Sequence, residues 1–209
     1  MATAQRVQNI YDRLAQRYDR VARNHTLERL RSAVFSQAHG SVLEVGVGTG
    51  ATFRHYPPTL SSLTALDVSS TMLHEAHLLA LPLPFPVRLM QCDFQTLPFD
   101  DQSFDTVVSS LAFCGIPDPE RLFADVRRVL KPGGQLLALE HVRPPNSLLG
   151  AVSDLIDPVF DQVIGCHPNR RTPALLEAAG FEVRLQDRRL AGIVISLVAI
   201  PTALESTRR

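Results

Sequence analysis

LEVGVGTG, residues Leu43–Gly50, decides the fold. It follows the apolar run SVLEV (Ser41–Val45) with glycine at alternate positions, Gly46, Gly48 and Gly50. A short apolar run that stops at glycines reads as a buried strand entering a sharp turn. Glycine there either frees the backbone to turn tightly or lets a ligand approach where side chains would exclude it. The surroundings of the turn decide between the two.

Downstream, the apolar run recurs in LTALD (Leu63–Asp67), VRLMQC (Val87–Cys92), DTVVSS (Asp105–Ser110) and QLLALEHV (Gln135–Val142). Helical stretches separate these runs. Ser69–Leu81 starts behind serine caps, and Glu120–Leu130 repeats apolar residues at helical spacing until Pro132-Gly133-Gly134 ends it. Strand and helix alternate with near-continuous apolar strands, which predicts a parallel sheet covered on both faces. FEVRLQDRRL (Phe181–Leu190) and GIVISLVAI (Gly192–Ile200) have no helix between them, so they are expected to pair as an antiparallel hairpin. Asn146–Pro173 reads as a helix followed by a loop. Upstream, Val7, Ile10, Tyr11, Leu14, Tyr18, Val21 and Ala22 mark an amphipathic helix, and a second is expected from Thr26 to Ala38.

Composition narrows the function. Twenty-one basic residues balance twenty-one acidic ones, so no global field attracts nucleic acid. The start MATAQRVQNIYDRL lacks the apolar core of a signal peptide, and Leu190–Leu204 is shorter than the roughly 20 residues of a membrane span. Cys92, Cys114 and Cys166 lie far apart without paired spacing, as expected of reduced thiols rather than a disulfide framework. A cytoplasmic protein is expected, with peripheral membrane contact as an alternative.

Three ligand-binding motifs compete at the glycine turn. A phosphate-binding loop needs G-x-x-x-x-G-K-[ST], and no lysine is present there. A dinucleotide fingerprint needs a third glycine at position 51, which is Ala51; alanine substitutes there in some fingerprints, so this reading stays open. The third is E-x-G-x-G-x-G, with Glu44 inside the strand. Asp67 ends the second strand about 20 residues after the first glycine, where a carboxylate accepts hydrogen bonds from both ribose hydroxyls of a nucleoside.

The third motif resembles the glycine motif of class I S-adenosylmethionine-dependent methyltransferases. Gln91-Cys92-Asp93-Phe94, LPFDDQSFDTVVSS (Leu97–Ser110) and RVLKPGGQLL (Arg128–Leu137) are similar to further signatures of that family, in the branch that includes quinone and sterol methyltransferases. The resemblance spans most of Tyr11–Glu140. It implies a Rossmann-like α/β fold: a seven-stranded, mostly parallel sheet with an antiparallel last strand and helices on both faces. Residues 1–38 are then expected to form a helical lid and residues 39–209 the cofactor-binding domain.

By the same resemblance, S-adenosylmethionine, with S-adenosylhomocysteine as its product, would lie along Glu44, Gly46, Gly48, Gly50, Asp67, Val68, Asp93, Phe94, Ser110 and Leu111. Asp93 would take the adenine amino group, with Phe94 against the ring. Met72 either covers the adenine or packs in the helical core. Tyr11 and Tyr18, in YDRLAQRYD, either close over the cofactor or pack on the sheet.

The acceptor side rests on fewer residues. His141 ends the fifth strand and His167 follows Cys166; both are candidate proton acceptors for a protonated nucleophile, since histidine titrates near neutral pH. Cys114 reads as a core residue. Cys166-His167 lacks a second ligand pair, so no metal site is expected. The apolar residues of Asn146–Arg170, among them Leu148, Val152, Leu155, Val159 and Val163, are expected to line a greasy pocket. EHV (Glu140–Val142) and DPVFDQVIGCHPNR (Asp157–Arg170) are similar to segments of thiol and phosphatidylethanolamine methyltransferases. A small lipophilic acceptor, such as an amine, a thiol or a lipid head group, is therefore expected. The alternatives are a quinone-ring C-methyltransferase and a non-catalytic cofactor-binding module. A base-modifying enzyme is disfavoured, because SSLA (Ser109–Ala112) stands where such enzymes carry N-P-P-Y.

Overall fold

The computed structural model describes residues 5–13, 24–94 and 96–202. Five strands come first in chain order: β1 (Ser41–Val45), β2 (Ser62–Asp67), β3 (Val87–Gln91), β4 (Phe104–Ser110) and β5 (Leu130–His141); the expected alternation with helices lapses between β3 and β4, where the described residues hold no helix. β6 (Phe181–Arg189) and β7 (Val194–Pro201) complete a sheet of order β3-β2-β1-β4-β5-β7-β6. β1 to β5 pair in parallel, and β7 is the reversed strand, antiparallel to β5 and to β6. This is the expected hairpin tail. The strand order reverses beside β1, which places a crevice at the carboxyl ends of β1 and β4.

Alternation along the strands builds two apolar layers. Leu43 and Val45 point to one face with Leu66, Val107 and Leu136; Val42 points to the other with Leu63, Ala65, Val108 and Leu137. The first face is covered by α4 (Pro119–Val129) and α6 (Thr172–Ala178), the second by α2 (His25–Phe35) and α3 (Ser70–Ala80). Caps fix where these helices begin. Asn24 Oδ1 accepts the Leu27 amide, Ser69 Oγ the Met72 amide and Asp118 Oδ1 the Arg121 amide. Residues 5–13 form a further helix, α1, whose Val7 joins the first layer. Tyr18 and the rest of the expected first helix lie outside the described residues.

Two expectations need correction. β5 begins at Leu130, not Gln135, so Pro132-Gly133-Gly134 lies within the strand. Its register against β4 jumps between Phe104 and Thr106, and that irregularity absorbs the extra residues. The second correction concerns α5 (Ser147–Ile164). Its apolar residues do not line a pocket: Leu155 is 79% exposed, and Leu148, Val152, Val159 and Val163 are exposed with it. The helix buries Gly150 and Ser153 instead. The Arg143 guanidinium lies so close over Gly150 that a Cβ there would meet it at 2.4 Å, and the same group binds Asp154 at 2.8 Å. A glycine and a serine therefore turn inward, the Arg143–Asp154 pair stays near the surface, and the apolar row turns out.

Candidate active site

The carboxyl ends of β1 to β4 open into a cleft of about 760 Å³ that is continuous with solvent. Its floor is the glycine turn. The Gly46 and Val47 amides both donate to the Leu66 carbonyl at 2.9 Å, which ties the turn to β2. Gly46 has φ +74°, and a Cβ there would lie 2.3 Å from Ala112 Cβ. Gly48 has φ +55°, but a Cβ there would meet no atom within 4 Å, because this residue faces the cleft itself. The two glycines thus serve different ends: Gly46 lets two loops touch, and Gly48 keeps the backbone open to a ligand.

Asp67 supplies the charge. Its Oδ2 accepts the Gly48 amide at 2.8 Å and its Oδ1 the Ser69 amide at 2.9 Å. Burial pushes its carboxyl up to about 6, against the pull of these amides. Val68, Met72, Asp93 and Phe94 continue the lining past β2 and β3, and Ser110 and Leu111 past β4. Phe94 and Leu111 adopt left-handed backbone conformations, φ +62° and +60°, unusual for residues with bulky side chains. Both occupy the rim, where such conformations re-aim the chain out of a strand. Tyr11 and Val7 of α1 add to the lining, as do Gly115, Ile116 and Pro117.

Glu44 and Gly50 stand behind the lining. Glu44 is fully buried and accepts hydrogen bonds from Thr52 Oγ1 at 2.7 Å and the Tyr56 hydroxyl at 2.8 Å. Burial lifts its carboxyl to about 7. It braces the back of the turn. Gly50, at φ +81°, packs against Phe53. On the other side Glu140 does similar work: its Oε1 accepts Ser109 Oγ at 2.7 Å and the amides of Ala112 and Phe113, fixing the turn after β4.

The two candidate histidines lie apart from the lining. His167 Nδ1 is 3.1 Å from Asp157, and His141 Nδ1 is 3.8 Å from Cys166 Sγ. Arg31 was not singled out in the sequence, yet it is 2% exposed, lines the cleft and donates to Ser110 Oγ at 3.2 Å. Its position four residues after Leu27, on the buried side of α2, was the available signal.

A family model described as a methyltransferase domain matches residues 43–138. The chain is 34% identical over 142 residues to a phosphatidylethanolamine N-methyltransferase of Cereibacter sphaeroides, which covers 66% of this chain and 69% of that protein. It is 32% identical over 180 residues to a thiol S-methyltransferase of Homo sapiens, covering 78% and 72%. A ubiquinone/menaquinone biosynthesis C-methyltransferase of Stutzerimonas stutzeri is 29% identical over 226 residues, covering 93% and 88%. The fold matches the crystal structure of a SAM-dependent methyltransferase, a possible histamine N-methyltransferase, of Thermotoga maritima, with a TM-score of 0.65 at 20% identity over 91% of this chain and 98% of that one.

Proposed function

The chain belongs to the class I S-adenosylmethionine-dependent methyltransferases, and from that premise we propose that it methylates a small lipophilic acceptor in the cleft above Gly48. The enzyme class and the cofactor follow from the family, and the residues present fit the cofactor. Gly48 leaves open space where a side chain would stand, and Asp67 offers carboxylate oxygens to paired hydroxyls beside it. Asp93 and Phe94 provide an acidic group and a ring at the end of β3, suited to an adenine. We assign Gly46, Gly48, Asp67, Val68, Met72, Asp93, Phe94, Ser110 and Leu111 to cofactor contact. Glu44 and Gly50 act by holding the turn.

When bound, the cofactor supplies a methyl group on a positively charged sulfur, so the nucleophile's lone pair takes the methyl and the sulfur leaves neutral. The protein's part is alignment and exclusion of water, and holding reactants about 3–3.5 Å apart can supply several kcal/mol of the barrier lowering. α1 serves as the lid. Val7 and Tyr11 reach the cleft, and Arg6 holds the helix down through a 2.6 Å ion pair with Asp161 of α5. A proton acceptor matters only for a protonated nucleophile. His141 and His167 have other neighbours, Cys166 and Asp157, so alignment carries the reaction in this reading.

The acceptor reading is carried by one observation. The lining that Val7, Tyr11, Ile116 and Pro117 add to the glycine turn is apolar apart from the tyrosine hydroxyl. The outward apolar row on α5 supports an acceptor collected at a lipid surface. No helix among the described residues is long and apolar enough to cross a membrane, so such contact would be peripheral. The test is methyl transfer to an alkyl thiol, to phosphatidylethanolamine in vesicles and to a demethylated quinone, set beside sugars and nucleosides. Product from a lipophilic acceptor is expected, and activity confined to polar acceptors would overturn the reading. The quinone stands as a second reading, favoured by the relative aligned over 93% of the chain. A new carbon–carbon bond in the product would select it.

A further inference from the structure

Cys114, His141 and Cys166 are far apart in sequence and meet in the fold. Their ligating atoms, two Sγ and a ring nitrogen, all lie within 4.8 Å of one another. Each comes from a different element. Cys114 lies in the turn after β4, His141 ends β5, and Cys166 follows the Gly165 cap of α5. Both thiols are buried, with Cys114 at 1% and Cys166 at 7% exposure.

Bonds that spare the three donor side chains tie the loop after α5 to the turn after β4. The His167 amide donates to the Cys114 carbonyl at 2.9 Å, and Arg170 Nη1 donates to the carbonyls of Phe113 and Ile116 at 3.0 and 2.6 Å. The three donor groups are therefore held close together by the fold itself.

We propose that Cys114, Cys166 and His141 form a binding site for a thiophilic divalent metal ion, with zinc as the occupant. Two thiolates and an imidazole are a zinc donor set, whereas magnesium and calcium need oxygen ligands. Sulfur at about 2.3 Å and nitrogen at about 2.0–2.1 Å around a tetrahedral ion lie about 3.5–3.8 Å from each other. The His141 Nδ1 to Cys166 Sγ separation is 3.8 Å. Binding releases the two thiol protons, and two thiolates neutralise the ion, so the buried site carries no net charge. Among the described residues three side chains group at this point, which leaves one tetrahedral corner for water or an exogenous ligand. Cys114 directly precedes Gly115, Ile116 and Pro117 of the cleft lining, so an ion here would fix that wall.

The test uses the full chain, reduced and purified without chelator. Elemental analysis should find one zinc per chain. After the zinc is removed, Co²⁺ should restore one equivalent, with a thiolate charge-transfer band and the visible bands of tetrahedral coordination. Cys114→Ser, Cys166→Ser and His141→Asn should each lose or change that spectrum, while Cys92→Ser keeps it. To separate loss of binding from loss of folding, the unaltered protein supplies a second readout: Zn²⁺ should shield Cys114 and Cys166 from alkylation and leave the half-buried Cys92 unaffected. Reduced protein that takes up no Co²⁺, an unchanged spectrum in His141→Asn, or equal alkylation of all three thiols with and without Zn²⁺ would overturn the site.

Discussion

Asp67 Oδ2 accepts the Gly48 amide at 2.8 Å, joining the end of β2 to the turn after β1 across the point where the strand order reverses. In the proposed site the same carboxylate would accept the cofactor's ribose hydroxyls. Burial lifts its pKa from 3.8 to about 6 in the ligand-free protein, so the ligand-free fold loses stability as pH rises from about 4 to 6. Cofactor binding runs the other way, because the ionised form is the better acceptor. Affinity for S-adenosylhomocysteine should be level above pH 7 and fall about tenfold by pH 5. Asp67→Asn should remove the pH step, which calorimetry at several pH values will read. A wild-type affinity independent of pH would take Asp67 out of the contact.

The two glycines at the floor of the cleft should fail differently. Gly48→Ala adds a methyl to open space, at a backbone cost of about 1–2 kcal/mol for φ +55°. It should leave a folded protein with weakened cofactor binding. Gly46→Ala drives a methyl to 2.3 Å from Ala112 Cβ and should lower stability further. Thermal unfolding with and without S-adenosylhomocysteine separates the two outcomes. Equal stabilisation by ligand in wild type and Gly48→Ala would contradict the assignment.

Tyr56 should matter to stability and little to the cofactor. Its hydroxyl donates to the buried Glu44 carboxyl at 2.8 Å, beside Thr52 Oγ1. Tyr56→Phe leaves one carboxyl oxygen without that donor, a loss of about 1–3 kcal/mol in chemical denaturation. Cofactor affinity in the folded variant should change by less than about threefold, since Glu44 stands behind the lining. A variant of unchanged stability would show that Glu44 does not brace the turn.

The glycine turn, the parallel strands and the antiparallel tail could be read from local pattern, because period and punctuation report strand, helix and turn directly. The facing of α5 could not. Its apolar residues fit a buried wall as well as an outward row, and the choice rests on Arg143, which lies beyond the helix and covers Gly150. Glu44 was expected in the cofactor site, but its direction depends on Thr52 and Tyr56, beyond the glycines. The meeting of Cys114, His141 and Cys166 was hidden for a related reason: their spacing matches no ligand motif, and only the parallel crossover brings the ends of β4, β5 and α5 together.

The lid reading predicts that removing residues 1–24 leaves the sheet folded and abolishes turnover. The truncation takes away Val7 and Tyr11 from the cleft and breaks the Arg6–Asp161 pair. Circular dichroism and a turnover assay on the same preparation will decide it. A fully active truncation would assign α1 to packing alone.

The most direct test of the account is calorimetric titration of S-adenosylmethionine into the wild-type protein and into Asp67→Ala at pH 8, where the carboxylate is ionised. One molecule should bind per wild-type chain. The variant, lacking charge-assisted bonds worth about 1.5–3 kcal/mol each, should bind at least about tenfold more weakly while keeping its fold. Equal affinities would contradict the account and move the cofactor away from the cleft that Gly48 and Asp67 define.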